Sequence, residues 1–96
     1  MNEEKLSNCL AQLGNITRLK IFKLLVKAGE KGLSVGKIQE QLDVPGSTLS
    51  HHLTKLLNAD LIQQIRDGRT LHCIANFELL ELLICDLKDQ CCIGIE

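Results

Sequence analysis

Aromatic side chains are nearly missing from this 96-residue chain, which has two phenylalanines, Phe22 and Phe77, and neither tryptophan nor tyrosine. Modules that read single-stranded RNA or DNA stack bases on aromatic rings, so this scarcity argues against that class. It also argues against a cofactor pocket walled by rings. Proline occurs once, at Pro45, and no proline-rich or low-complexity linker divides the chain. No apolar run approaches the roughly 20 residues that cross a bilayer. The first residues, MNEEKLSNCL, have neither the basic start nor the apolar stretch of a secretory signal. The expectation is a cytoplasmic protein with no membrane association, in which thiols stay reduced. Its five cysteines, an odd number, then read as free thiols or metal ligands rather than as a disulfide framework.

Net charge is also small, −1 at neutral pH, but it is unevenly spread. Residues 15–37 carry Arg18, Lys20, Lys23, Lys27, Lys31 and Lys37 against Glu30 alone. Residues 76–96 carry Glu78, Glu81, Asp86, Asp89 and Glu96 against Lys88 alone. A basic half and an acidic tail fit a protein that meets an anion with one side. The plainer alternative is a pair of solvated helix faces.

The length is that of one domain, residues 1–96, with a core of Leu, Ile, Val and Ala that suits packed helices. Leu6, Cys9, Leu10 and Leu13 recur at helical spacing over residues 3–13. After Gly14-Asn15 a second helix is predicted over 16–28, with Ile16, Leu19, Phe22, Leu25 and Val26 as its apolar stripe and Gly29 as its cap. Ser34 is an N-cap for a short helix ending near Leu42. The turn Asp43-Val44-Pro45-Gly46 leads into a fourth helix that runs to about Ala59. Two strands, about 61–66 and 70–75, flank Asp67-Gly68, a strong hairpin signal. A last helix is predicted from Phe77 to about Cys91, apolar on more than one side, which calls for a partner helix. The fold class is therefore mainly α with a small β-hairpin. It is a winged helix-turn-helix of five helices plus a wing, with the helix-turn-helix over about 34–59 and the wing over about 61–75.

The fourth helix carries Ser47, Thr48, Ser50, His51, His52, Thr54 and Lys55 outside its leucines. Short hydrogen-bonding side chains at the front of a recognition helix can approach phosphates and base edges in the major groove. Arg66 and Arg69 flank the wing tip, placed for backbone or minor-groove contact. The candidate DNA-binding set is thus Ser47, Thr48, Ser50, His51, His52, Lys55, Arg66 and Arg69. Two alternatives remain: a merely solvated polar face, and for His52 a half-buried position packed under the third helix. No nucleophile–base–acid set and no glycine-rich phosphate loop points to an enzyme.

The stretch from Leu13 to Ile74 resembles the ArsR/SmtB family of metal-sensing repressors. The resemblance lies in Leu13-Gly14, in Arg18-Leu19-Lys20-Ile21, in the run from Ser47 through His51-His52-Leu53 to Leu56, and in Asp67-Gly68-Arg69. Asp60-Leu61-Ile62 stands where the family pattern has a glycine first. The resemblance implies a homodimer joined through the first and last helices, about 3–13 and 77–91. It also implies operator DNA as partner, no permanently bound cofactor, and release from DNA by an inducer.

Family sensor sites lie in different places. A cysteine-rich third helix is ruled out by SVGKIQEQLDV, and a histidine-bearing last helix by residues 77–92. A redox pair between the second and last helices lacks its second-helix cysteine. Some arsenic sensors of the family carry adjacent cysteines just past the last helix, and Asp89-Gln90-Cys91-Cys92 is similar to them. Soft thiolates select soft ions, so the resemblance implies As(III) or Sb(III) as inducer, held by Cys91 and Cys92. Three sulfurs are needed, and the third candidates are Cys85, Cys9 of the other subunit, or a small external thiol. Cys85 lies about 10 Å up the helix from Cys92 at 1.5 Å per residue. Regulation by thiol oxidation, or no inducer at all, is the alternative. Cys9 and Cys73 read as packing residues.

Overall fold

The computed structural model describes residues 1–95. In chain order it has α1 (Glu3–Leu13), α2 (Ile16–Ala28), a short 3-10 turn (Gly29–Lys31), β1 (Leu33–Ser34), α3 (Val35–Leu42), α4 (Gly46–Asn58), β2 (Ile62–Asp67), β3 (Thr70–Ala75) and α5 (Phe77–Lys88). Four of the five helices start on a side-chain cap. Asn2, Asn15, Ser34 and Asn76 accept from the backbone N–H of Lys5, Arg18, Lys37 and Leu79 at 2.7, 3.0, 3.1 and 3.1 Å. Each cap satisfies one of the donors a helix start leaves free, worth about 1 kcal/mol.

The core is aliphatic. Ile21 and Leu25 of α2, Ile38 of α3, Leu49 and Leu56 of α4 and Leu61 before β2 are fully buried around Phe22. Leu79 and Leu83 are the buried residues of α5. The sequence places Ile16 and Leu19 on the buried stripe of α2, but they are 70% and 40% exposed, and Ile21 is buried instead. The helix reads ITRLKIFKLLVKA, apolar over most of its circumference, so periodicity alone leaves the inward direction loose by part of a turn.

The hairpin gains a third strand that the sequence does not announce. The sheet order is β1-β3-β2, all antiparallel, with Leu33 opposite Cys73 and Ser34 opposite His72. Two residues are too few to show alternation. The register Asp67–Thr70 makes Gly68 and Arg69 the two loop residues. Gly68 has φ +63° and Arg69 is not positive, the pattern of a type II′ turn. The turn is thus centred one residue beyond Asp67-Gly68, and Arg69 sits at the tip. The last helix also differs: it ends at Lys88 rather than near Cys91. Its second half has no buried side chain beyond Leu83, and Asp86 and Asp89 crowd the negative end of the helix dipole against Lys88 alone.

Gly32 is where the chain leading into β1 closes on β3. It has φ +66°, and a Cβ there would lie 2.2 Å from the Cys73 carbonyl oxygen. Gly68 has a similar φ of +63° with nothing within 4 Å. Urea unfolding is therefore expected to show a cost of about 1 kcal/mol for Gly68→Ala, from backbone strain alone. For Gly32→Ala the expected cost is about 3 kcal/mol or more, because strain and overpacking add.

Candidate nucleic-acid interface and the terminal thiol pair

Asp43, Val44 and Pro45 join α3 to α4. Asp43 stops α3 in the left-handed region at φ 52°, with its N–H returned to the Gln39 carbonyl at 2.8 Å. Pro45, at φ −57° and ψ 143°, holds the chain extended into α4 and has no side chain that can cap it. The only α-helix among the described residues without a side-chain cap is therefore the one whose front is richest in hydroxyls. The uncapped N–H groups of its first turn, with the positive end of the helix dipole, favour an anion there.

Ser47, Thr48, Ser50 and His51 are exposed along this front, while Leu49, Leu53 and Leu56 fix the opposite side in the core. Thr54 turns its hydroxyl back to the Ser50 carbonyl at 2.9 Å, and Lys55 is half-buried at the far end. Arg66 and Arg69 are exposed on the wing. They line a cleft of about 480 Å³ whose other wall is Ser34, Val35 and Gly36 at the start of α3. The wing and the start of α3 thus border one open cleft.

His52 is half-buried, with Nδ1 3.3 Å from the Arg18 guanidinium of α2. Burial, then the charges of Arg18, His51 and Lys55, hold its pKa below the ordinary imidazole value. Arg18 also donates from Nε to the Gln12 carbonyl of α1 at 2.8 Å. Periodicity carries no sign of this link, because its partners lie 34 residues apart. The end of α4 is tied as well. The Ala59 carbonyl accepts from Lys5 Nζ at 3.2 Å and from the Cys9 thiol at 3.6 Å. Lys5 also pairs with the Asp60 carboxylate, and Asn76 Nδ2 donates to the Asp60 carbonyl at 2.9 Å. Asp60 holds φ 61°, the conformation that suits the glycine of the family pattern.

The cysteines divide into two groups. Cys9 and Cys73 are fully buried, and burial pushes both thiols up in pKa. Cys9, considered as a ligand from the other subunit, is enclosed in its own fold and bonded to Ala59. Cys85, Cys91 and Cys92 are exposed. The sulfurs of Cys91 and Cys92 lie 3.1 Å apart, and that hydrogen bond raises the Cys91 pKa. Left-handed φ values at Gln90 and Cys92, 61° and 65°, fold the tail so that adjacent thiols converge. Among the described residues no group of three His, Cys, Asp or Glu is gathered for a metal ion. Cys85 lines a separate shallow cleft with Met1, Leu82, Asp86 and Asp89.

A helix-turn-helix domain family model matches residues 13–65, which contain α2 to α4 and most of β2. An uncharacterised HTH-type transcriptional regulator of Methanocaldococcus jannaschii is 37% identical over 65 residues, 68% of this chain and 71% of its own length. The chain belongs to the ArsR/SmtB family of winged helix-turn-helix transcriptional regulators. A Halobacterium salinarum protein assigned as an arsenical resistance operon repressor is 42% identical over 60 residues, 62% of this chain. The chain spans only 46% of that relative's length. An ArsR-like transcriptional regulator from Rhodococcus sp. RHA1 superposes with a TM-score of 0.78 over 88% of this chain and 77% of that one, at 24% identity. A homodimeric winged helix-turn-helix DNA-binding domain from Mycobacterium bovis gives 0.71 over 97% and 88%, at 17% identity. These two establish the fold. Both of the sequence relatives carry names of transcriptional regulators, and the residues matched by the family model are those of the helix-turn-helix. No helix among the described residues of this ArsR/SmtB-family chain is long and apolar enough to cross a membrane.

The burial pattern predicts the order of thiol alkylation. In native protein treated with iodoacetamide, mass spectrometry is expected to find Cys85, Cys91 and Cys92 modified within minutes. Cys9 and Cys73 are expected to react only when denaturant opens the core.

Proposed function

We propose that the protein is a cytoplasmic homodimeric repressor that binds operator duplex DNA and is released by a thiophilic inducer. The observation that carries the DNA reading is the bare, hydroxyl-rich front of α4, and the exposed Arg66 and Arg69 of the wing add two cations. In this reading Ser47, Thr48, Ser50 and His51 enter the major groove. The first-turn N–H groups and Lys55 meet phosphate, and Arg69 at the hairpin tip reaches the flanking backbone or minor groove. His52 contributes from behind, through its bond to Arg18. Dimerisation through α1 and α5 is supported by Leu10, Leu82, Ile84 and Leu87, which lie exposed on those two helices. Pairing them with a second copy removes an apolar surface that a monomer leaves in water. Two reading helices then stand about one DNA turn apart, roughly 34–36 Å.

The convergence of Cys91 and Cys92 at 3.1 Å supports a soft, thiol-seeking inducer, As(III) or Sb(III), at the end of α5. Two sulfurs fit such an ion. The third is not assembled within one chain, which leaves exposed Cys85, after unwinding of the last turn of α5, or a small external thiol. The Cys9 alternative requires breaking a core contact. The inducer's contribution is to bind thiolate sulfur. The protein's contribution is to make the end of α5, on the proposed dimer face, the place where this happens.

Two tests separate the halves of this reading. Binding to a duplex selected by the wild-type protein from a random pool is expected to fall linearly with log salt. Arg69→Ala is expected to reduce that slope by about one. A slope near zero removes the DNA reading. With DNA binding established, arsenite added to reduced protein is expected to release a fluorescent duplex from wild type but not from C91S/C92S. Cys85→Ser and Cys9→Ser, run alongside, identify the third sulfur. Equal release from wild type and the double variant rejects the thiol pair as the sensor.

A further inference from the structure

We propose that Arg18 is the positioning residue of the recognition helix, acting through His52: one guanidinium ties the last turn of α1 to the His52 ring and sets the tilt at which α4 presents Ser47 to His51. The proposal rests on the DNA reading above and concerns how that surface is held, not what it contacts. Arg18 is anchored from two sides. Its backbone N–H is capped by Asn15 Oδ1 at 3.0 Å, and its Nε donates to the Gln12 carbonyl at 2.8 Å. The remaining end of the planar group lies 3.3 Å from His52 Nδ1, in a part-buried position. A guanidinium has donors and no acceptor, so the bond exists only when Nδ1 offers a lone pair. Arg18 therefore selects the neutral ring with its proton on Nε2.

The charged groups acting on the ring are Arg18 from α2 and His51 and Lys55 from its own helix, with no carboxylate among them. A protonated His52 would turn a second donor, and a positive charge, toward Arg18. The tether is thus present while His52 is neutral and is lost on protonation. The sign for stability follows. A histidine whose folded-state pKa is lowered leaves stability unaffected above its unfolded value, about 6.5. Stability then declines as pH falls through the folded value, because the unfolded chain takes the proton first. Arginine is required by geometry: an ammonium at position 18 is a point charge and cannot hold two acceptors in one plane.

The experiment has a DNA-free arm and a DNA arm. In free protein, NMR titration of the His52 ring is expected to move to higher pH in Arg18→Gln, with backbone amide spectra confirming that the variant is folded. An unchanged titration overturns the proposal whether or not any DNA is bound. With the selected duplex as probe, Arg18→Gln is expected to weaken binding about tenfold at pH 7.5, the scale of one hydrogen bond to a charged group. The loss should shrink toward none one unit below the measured His52 pKa, and Arg18→Gln should add nothing in a His52→Ala background. If Arg18 touched phosphate itself or served folding alone, the same loss would appear at both pH values and in both backgrounds, and that result also overturns the proposal. Failure of wild type to select any duplex counts against the proposed function, while the ring titration still decides the role of Arg18.

Discussion

The turn at Ala59-Asp60 is the constraint on which the arrangement depends. It stops α4, reverses the chain into β2, and is the point to which both α1 and α5 are bonded. Lys5 and Cys9 of α1 converge on the Ala59 carbonyl, and the cap residue of α5, Asn76, donates to the carbonyl of Asp60. A left-handed non-glycine residue at this corner costs about 1 kcal/mol. Asp60 offsets that strain by giving Lys5 a carboxylate to pair with. The pair is exposed, so its electrostatic worth is modest. Its larger effect is to give the corner one geometry, so that the outer helices and the end of the reading helix move together.

The front of α4 is held by a different device. Side-chain capping there would satisfy the first-turn donors internally and leave nothing for a phosphate. Pro45 supplies the extended entry without a cap, and positional restraint comes instead from behind, where Arg18 joins Gln12 to His52. α4 is therefore tied to α1 at its middle, through Arg18, and at its end, through Lys5 and Cys9. If α1 is part of the dimer scaffold, the spacing of the two reading heads is transmitted through a few hydrogen bonds rather than through the aliphatic core, which has no directional preference of its own.

The end of α5 is loosely attached by comparison. Leu79 and Leu83 anchor its first half, and the acidic residues of its last turns work against the helix dipole. The chain leaves the helix at Lys88 and folds the two thiols together outside any core contact. Such a segment has little local stability to lose, which suits a place where ligand binding changes structure at low cost. A coupling of about 1–3 kcal/mol between such an end and the proposed dimer face is the usual scale of allosteric control.

Much of this was readable from residue order. The start of α3 could be read because Ser34 acts on a donor three residues away, as Asn2, Asn15 and Asn76 do at the helix starts the folded chain shows, and the wing because Gly68 permits a turn few other residues adopt. The hydroxyl-rich front of α4 and the adjacent thiols are equally local, since their chemistry lies in neighbouring residues. Three things were decided only by the folded chain. Burial of Ile21 in place of Ile16 and Leu19 depends on which side of a nearly all-apolar helix meets the core. Pairing of β1 with β3 depends on Gly32 allowing the strands to close. The bonds of Arg18 to His52, and of Lys5 and Asn76 to the Ala59-Asp60 corner, join residues 34, 55 and 16 positions apart. Periodicity acts over a turn or two of helix. Contacts at that separation are set by how the helices pack, and these contacts tie α4 and the corner after it to the helices around them.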